Sequence, residues 1–215
     1  MKKVIDLSHN LVHSMSTHPY DDEVKLYQDK YLDEDHYVNF KLEIGMHAGT
    51  HIDAPMHLVK SDQFINEFLL ERFVGNGVLL DVRGENEIQY KPEYEKMISK
   101  GDIVLLLTGH SKKFGDESYY TDYPTIDKKL AKFFVKKKIK MLGLDLPSPD
   151  HYPFDIHKLL FKKEIFIIEN LTNLEELLDI NSFEVIAFPL KVKAEASIAR
   201  VVAREIEEFK LTISG

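Results

Sequence analysis

Two short, unbroken apolar runs constrain this chain most: G-V-L-L-D-V at residues 77–82 and D-I-V-L-L-L-T at 102–108. Each has the length of a strand, and neither alternates apolar with polar residues. A strand covered on both faces reads this way, whereas a strand with one face in water alternates. Helices to cover such strands are expected between them. Pro92–Lys100 reads as a short helix, with Pro at its opening and Gly101 just past its end, and Ile126–Lys138 carries Ile126, Leu130, Phe133 and Phe134 at helical spacing. Asp155–Lys163 and Leu174–Leu178 read as further helices. Lys3–Leu7, Lys140–Leu144, Ile165–Glu169, Phe183–Leu190 and Ile198–Ile206 read as strands. Tyr37–Ile44 alternates, with Val38, Phe40, Leu42 and Ile44 on one face, and suits a half-buried strand. Residues 14–36 lack periodicity and read as a long loop. The sum is an α/β fold built on a mixed sheet. No repeat or linker divides the sequence, so one domain over residues 1–215 is expected.

Composition narrows the chemistry. The net charge is −8, which argues against a phosphate-binding surface and hence against nucleic acid as a partner. There is no cysteine, so any metal must be held by His, Asp, Glu or water. The start M-K-K-V-I-D-L-S-H has no long apolar run behind its lysines, and no segment has the length of a membrane span. A soluble, cytoplasmic protein is expected.

The densest chemical signal is M-H-A-G-T-H-I-D-A-P-M-H-L-V, residues 46–59. His47, His51, Asp53 and His57 are separated by even intervals. On extended backbone alternate side chains share a face, so all four can converge. A helix would carry Asp53 away from the two histidines, and Gly49 and Pro55 also oppose a helix. The expectation is a strand end running into a loop, with the orientation of His57 loosened by Pro55. Imidazole and carboxylate are ligands for Zn²⁺, Mn²⁺ or Fe²⁺, and two His with one carboxylate leave positions open for water. His57, set apart by Pro55, is the natural proton shuttle.

The stretch H-A-G-T-H-I-D-A-P-M-H resembles the H-x-G-T-H-x-D-x-P-x-H signature of the cyclase-like metal-dependent hydrolases, the family of bacterial kynurenine formamidases and isatin hydrolases. The opening I-D-L-S-H, the segment G-L-D-L-P-S-P-D at 143–150, and H-K-L-L-F at 157–161 followed by I-I-E-N-L at 167–171 extend the resemblance over nearly the whole chain. It implies a mixed, barrel-like β-sheet flanked by helices. It implies metal ligation by His47, His51 and Asp53, with Asp53 and Glu169 bridging to a second ion completed by His157, and His57 as general acid/base. The implied cofactor is one or two divalent ions, zinc first and manganese as the alternative. The implied reaction is hydrolysis of an amide-type C–N bond in a small, possibly aromatic, molecule. Opening of a cyclic amide or lactone, or a dehydrating cyclisation, is the alternative on the same site. Homodimers or homotetramers are implied as well.

Read alone, Glu169 at the end of F-I-I-E suits a solvent-facing strand end as well as a cation, and His157 suits packing beside Leu160 and Phe161. Thr50 and Asp145 are candidates to orient the ligands. The chain departs from kynurenine formamidases in having no tryptophan; the stretch comparable to their substrate-stacking loop is His18-Pro19-Tyr20-Asp21. Tyr20, Tyr27, Tyr31 and Phe64 are candidates to line an aromatic-tolerant pocket, whereas His18 reads more simply as a solvent-facing loop residue.

Overall fold

The computed structural model describes residues 2–207. In chain order the elements are β1 (Val4–Asp6), β2 (Lys25–Lys30), α1 (Leu32–Asp35), β3 (Asn39–Glu43), β4 (His51–Asp53), β5 (Val74–Asp81), β6 (Glu87–Ile88), α2 (Tyr94–Met97), β7 (Ile103–Leu107), β8 (Thr125–Ile126), α3 (Lys128–Lys137), β9 (Met141–Leu144), α4 (Asp155–Phe161), β10 (Phe166–Glu169), β11 (Phe183–Pro189) and β12 (Ala196–Glu205). Six single turns of 3₁₀ helix lie between them.

The main sheet runs β12–β11–β5–β7–β9–β10–β4, and β4 pairs back onto β12. Seven strands thus close into a barrel. β5, β7, β9 and β10 are parallel to one another, and the remaining pairings are antiparallel. β12 is long enough to serve two neighbours on one edge: Ala196–Ile198 pair with β4, and Val202–Arg204 pair with β1. The fold is mixed α/β and barrel-like, as the sequence implies.

The 103–107 run is apolar on both faces because both faces are covered, whereas the 77–82 run is covered only in part: Val78 and Leu79 are half-buried and Asp81 is exposed. Ile103, Leu105 and Leu107 of β7 join Ile52, Met141, Phe166, Ile168, Val185 and Val201 inside the barrel. Val104 and Leu106 point outward, with Leu142, Leu144 and Ile167, and meet Leu130, Phe134, Ile156, Leu160 and Phe161 of α3 and α4. α3 is capped by the Asp127 carboxylate, which accepts the Leu130 N–H at 2.7 Å. Inside the barrel, Gly143 lets β9 approach its neighbours. A Cβ there would lie 2.5 Å from Leu105 Cδ2 and 2.8 Å from Leu171 Cδ1, both on fully buried side chains. Gly143→Ala is therefore expected to cost about 1–3 kcal/mol of stability, read as a lowered urea midpoint with an unchanged slope.

Three expectations are corrected. Residues 14–36 contain β2 and α1 instead of forming one long loop. β3 is a strand but not half-buried: among the described residues it pairs with β2 alone, and Val38, Phe40 and Leu42 are all exposed. Alternation reports that the two faces differ, not that another layer covers one of them. The predicted helices at 92–100 and 126–138 are shorter than expected, and Ile126 belongs to β8, which pairs with β6.

Candidate metal centre

Sheet register assembles the centre. In β4, His51 lies opposite Glu169 and Asp53 opposite Ile167 of β10, while β12 flanks the other edge. Ile52 and Ile168 point into the barrel. His51, Asp53 and Glu169 therefore share its outer face, the face on which α4 packs. Positions 157, 160 and 161 fall on one side of that helix, so the contacts that seat Leu160 and Phe161 also bring His157 to the carboxylate.

His47 is not on the strand. It sits in the turn before β4, where Gly49 has φ +65°, and its side chain reaches back to Asp53. Even spacing put His47 with its partners for the wrong reason: a turn supplies the approach that extended backbone was expected to give. His57 closes the one-turn 3₁₀ helix Pro55–His57, with Pro at its start. Its ring lies 4.3 Å from that of His47 and 6.4 Å from that of His157, centroid to centroid. All six candidate residues, His47, His51, Asp53, His57, His157 and Glu169, line one cavity of about 250 Å³.

The distances describe a tight nest of charge. His47 Nδ1 is 2.9 Å from Asp53 Oδ1. His51 Nε2 is 3.4 Å from both Asp53 Oδ1 and Glu169 Oε2. His157 lies between two carboxylates, with Nδ1 2.5 Å from Asp150 Oδ1 and Nε2 3.2 Å from Glu169 Oε1. Burial alone would lower the pKa of each of these imidazoles. Asp53 and Glu169 reverse that for His47 and His51, and Asp150 and Glu169 push His157 up to about 9. Burial would likewise raise Asp53, but His51 and His47 hold it well below the ordinary carboxylate range. His57 is the exception: desolvation dominates and its pKa is lowered, so its ring is neutral and able to take a proton.

A divalent cation fits these donors. His51 Nε2 and Asp53 Oδ1 are buried, and their contacts with the neighbouring imidazole and carboxylates lack the alignment of hydrogen bonds, a costly arrangement that a bound cation would relieve. One donor atom from each of His51, Asp53 and Glu169 lies within 4.8 Å of the others, and the same holds for His47, Asp53 and His57. Nitrogen and oxygen without sulfur suit zinc and manganese alike. The carboxylates that raise the pKa of these imidazoles favour positive charge at the centre, which a divalent cation would supply.

Supporting residues orient the donors. Gly49 O accepts from His51 Nδ1 at 2.8 Å, which aims Nε2 into the centre, and also from Asn170 Nδ2 at 2.9 Å. The Thr50 hydroxyl donates to Asn170 O at 2.6 Å and accepts the His9 N–H at 2.9 Å. Thr50 thereby ties β4 to the end of β10, an indirect form of the expected orienting role. Asp145 does not orient ligands: it accepts from Thr108 N and Oγ1 and Gly109 N, fixing the loop after β7. Asp150 takes the role expected of Asp145. One of its oxygens meets His157, and the other accepts the Ile156 N–H at 2.6 Å in the first turn of α4. Asp150, Asn170 and Glu195, which lies 3.3 Å from His47 Nε2, escape the sequence reading. Asp150 had a signal, a carboxylate seven residues before His157, whereas the other two depend on tertiary register.

The cavity wall also differs from expectation. Tyr20, Tyr27, Tyr31 and Phe64 do not line it; Tyr120, Tyr123 and Phe154 do, and His18, an exposed loop residue as expected, also stands at its edge. Tyr20 is 94% exposed, and Phe64 lies under the Lys193 ammonium.

His9, beside Thr50, provides a pH prediction. Its ring stacks on Phe114 at 3.8 Å, and burial lowers its pKa from 6.5 to about 4. Between those values the unfolded chain binds the extra proton, so this contribution to stability is complete above pH 6.5 and lost as pH falls toward 4. His9→Phe, which keeps the stack, is expected to shrink the acid-side loss in a series of unfolding midpoints from pH 7 to 4.

Fold and donor set define a class: a closed seven-stranded barrel bearing a histidine–carboxylate centre on its outer face. The Cyclase family model matches residues 5–151. The kynurenine formamidase of Bacillus thuringiensis (strain Al Hakam) is 33% identical over 210 residues, covering 94% of this chain and 97% of the relative. Among solved structures, an isatin hydrolase bound to the product analogue thioisatinate superposes with TM-score 0.84 at 22% identity, covering 96% of this chain and 93% of that one. A protein from Bacillus stearothermophilus, described as a predicted metal-dependent hydrolase, superposes with TM-score 0.78 at 24% identity, covering 96% and 100%. The chain belongs to the Cyclase family. None of the described helices is long and apolar enough to cross a membrane.

Proposed function

We propose that this protein is a metal-dependent hydrolase that cleaves an amide-type C–N bond in a small aromatic substrate, acting in the cytoplasm. The observation that carries this reading is the convergence of His47, His51, Asp53 and Glu169 in one cavity, where the buried His51 Nε2 and Asp53 Oδ1 make no aligned hydrogen bond. His47, His51 and Asp53 would hold one divalent cation, zinc or manganese. Asp53, Glu169 and His157 would hold a second. Such a cation would polarise the substrate carbonyl and acidify a water molecule.

The remaining work falls to the chain. Tyr120, Tyr123 and Phe154 bind the apolar part of the substrate and exclude solvent around the scissile bond. His57 Nδ1 or Nε2 accepts a proton as water adds to the carbonyl and returns it to the departing nitrogen. Asp150 and Gly49 O hold the imidazoles of His157 and His51 in orientation, so no reorganisation is needed during turnover.

Metal analysis of the purified protein, paired with assays of N-formylkynurenine, isatin and a simple lactone, tests the reading. Turnover of the formamide that disappears with chelator and returns with zinc or manganese is the expected result. Turnover of isatin or the lactone alone would move the assignment to ring opening, and no turnover of any by metal-loaded protein would defeat it.

A further inference from the structure

The cavity that holds the donor residues is uneven in charge. Beyond the centre itself its wall carries Tyr120, Tyr123 and Phe154 beside Leu58 and Pro147, and its edge carries the exposed side chains of His18 and Asp21. No lysine or arginine lines it among the described residues. Asp21 has no ion-pair partner among the described residues, and its backbone is fixed by the Asp21 N–H donating to His18 O at 2.8 Å. A carboxylate beside aromatic faces attracts a cation twice over, through its charge and through the ring quadrupoles. It repels an anion, and among the described residues no lysine or arginine lines the cavity to compensate; the one imidazole at that edge is His18.

We infer that the site discriminates by net charge at the end of the substrate remote from the scissile bond: it takes a single-ring substrate whose remote substituent is neutral, zwitterionic or cationic, and it disfavours one whose remote substituent carries a net negative charge. This rests on the hydrolase reading for the position of the scissile bond, and on Asp21 and the aromatic wall for the preference.

The test uses two probe sets on the metal-loaded protein. Formanilides carrying hydrogen, aminomethyl or carboxylate para to the formamide report turnover. Benzohydroxamates with the same para substituents have a chelating end that seeks the metal, and they report binding by calorimetry whether or not any amide is cleaved. The expected result is a preference of about tenfold or more for aminomethyl over carboxylate in each set, weakening with added salt. Asp21→Asn is expected to narrow the ratio and Asp21→Lys to invert it. Equal affinity for the charged hydroxamates, or a ratio unmoved by Asp21→Lys, overturns the inference. Hydroxamates binding in the expected order with no formanilide turned over would sink the hydrolase reading and leave the charge preference standing.

Discussion

His51→Ala is expected to lose bound metal and turnover together. His51 is fully enclosed, its Nδ1 is committed to Gly49 O, and its Nε2 faces two carboxylates 3.4 Å away. Alanine removes a donor that no neighbouring side chain can replace. It also leaves Asp53 and Glu169 with one less partner in a dry environment, where an uncompensated carboxylate is costly. Loss of a residue that merely orients a ligand already costs about 10–100-fold in metal affinity, so loss of the ligand is expected to exceed that. Elemental analysis after dialysis, alongside an amide assay, reads both quantities. Full metal content in His51→Ala would remove it from the centre.

His57→Ala is expected to separate what His51→Ala joins: metal content near that of the parent, with turnover lower by about 10²–10⁴-fold, the usual contribution of a positioned acid/base. The separation follows from the electrostatics. The carboxylates raise the pKa of His47, His51 and His157 in the cation's absence, whereas burial lowers that of His57. A histidine that the carboxylates do not hold is poor material for a ligand and good material for carrying a proton. Parent-level kcat in His57→Ala would end the acid/base assignment. A loss of metal equal to that in His51→Ala would make His57 a ligand, in keeping with its proximity to His47 and Asp53.

The parts legible in the sequence were those fixed by local geometry. His51 and Asp53 are two apart on a strand, so their common face could be read directly. The buried strands announced themselves because apolar residues on both faces leave no other reading. Glu169 was ambiguous because nothing local says that β10 lies beside β4; the antiparallel register that sets it opposite His51 is a property of the closed barrel. His47 and His57 reach the centre through a turn and a 3₁₀ turn, where intervals of two and four carry no meaning. The aromatic wall was missed because Tyr120 belongs to a 3₁₀ turn and Tyr123 to the stretch just after it, too short to show a period. The β2–β3 hairpin shows the opposite failure, a clear period with no second layer to cover it among the described residues.

β4 is three residues long, yet it carries two donors and pairs with β10 and β12 at the place where the ring of strands closes. Clamp and seam are the same short piece of chain. Whatever draws His51 and Glu169 toward a shared ion also draws the cylinder shut, and whatever parts β4 from β10 scatters the donors. Amide protons along this join are therefore expected to exchange faster once a chelator strips the protein, while those in α3 keep their pace.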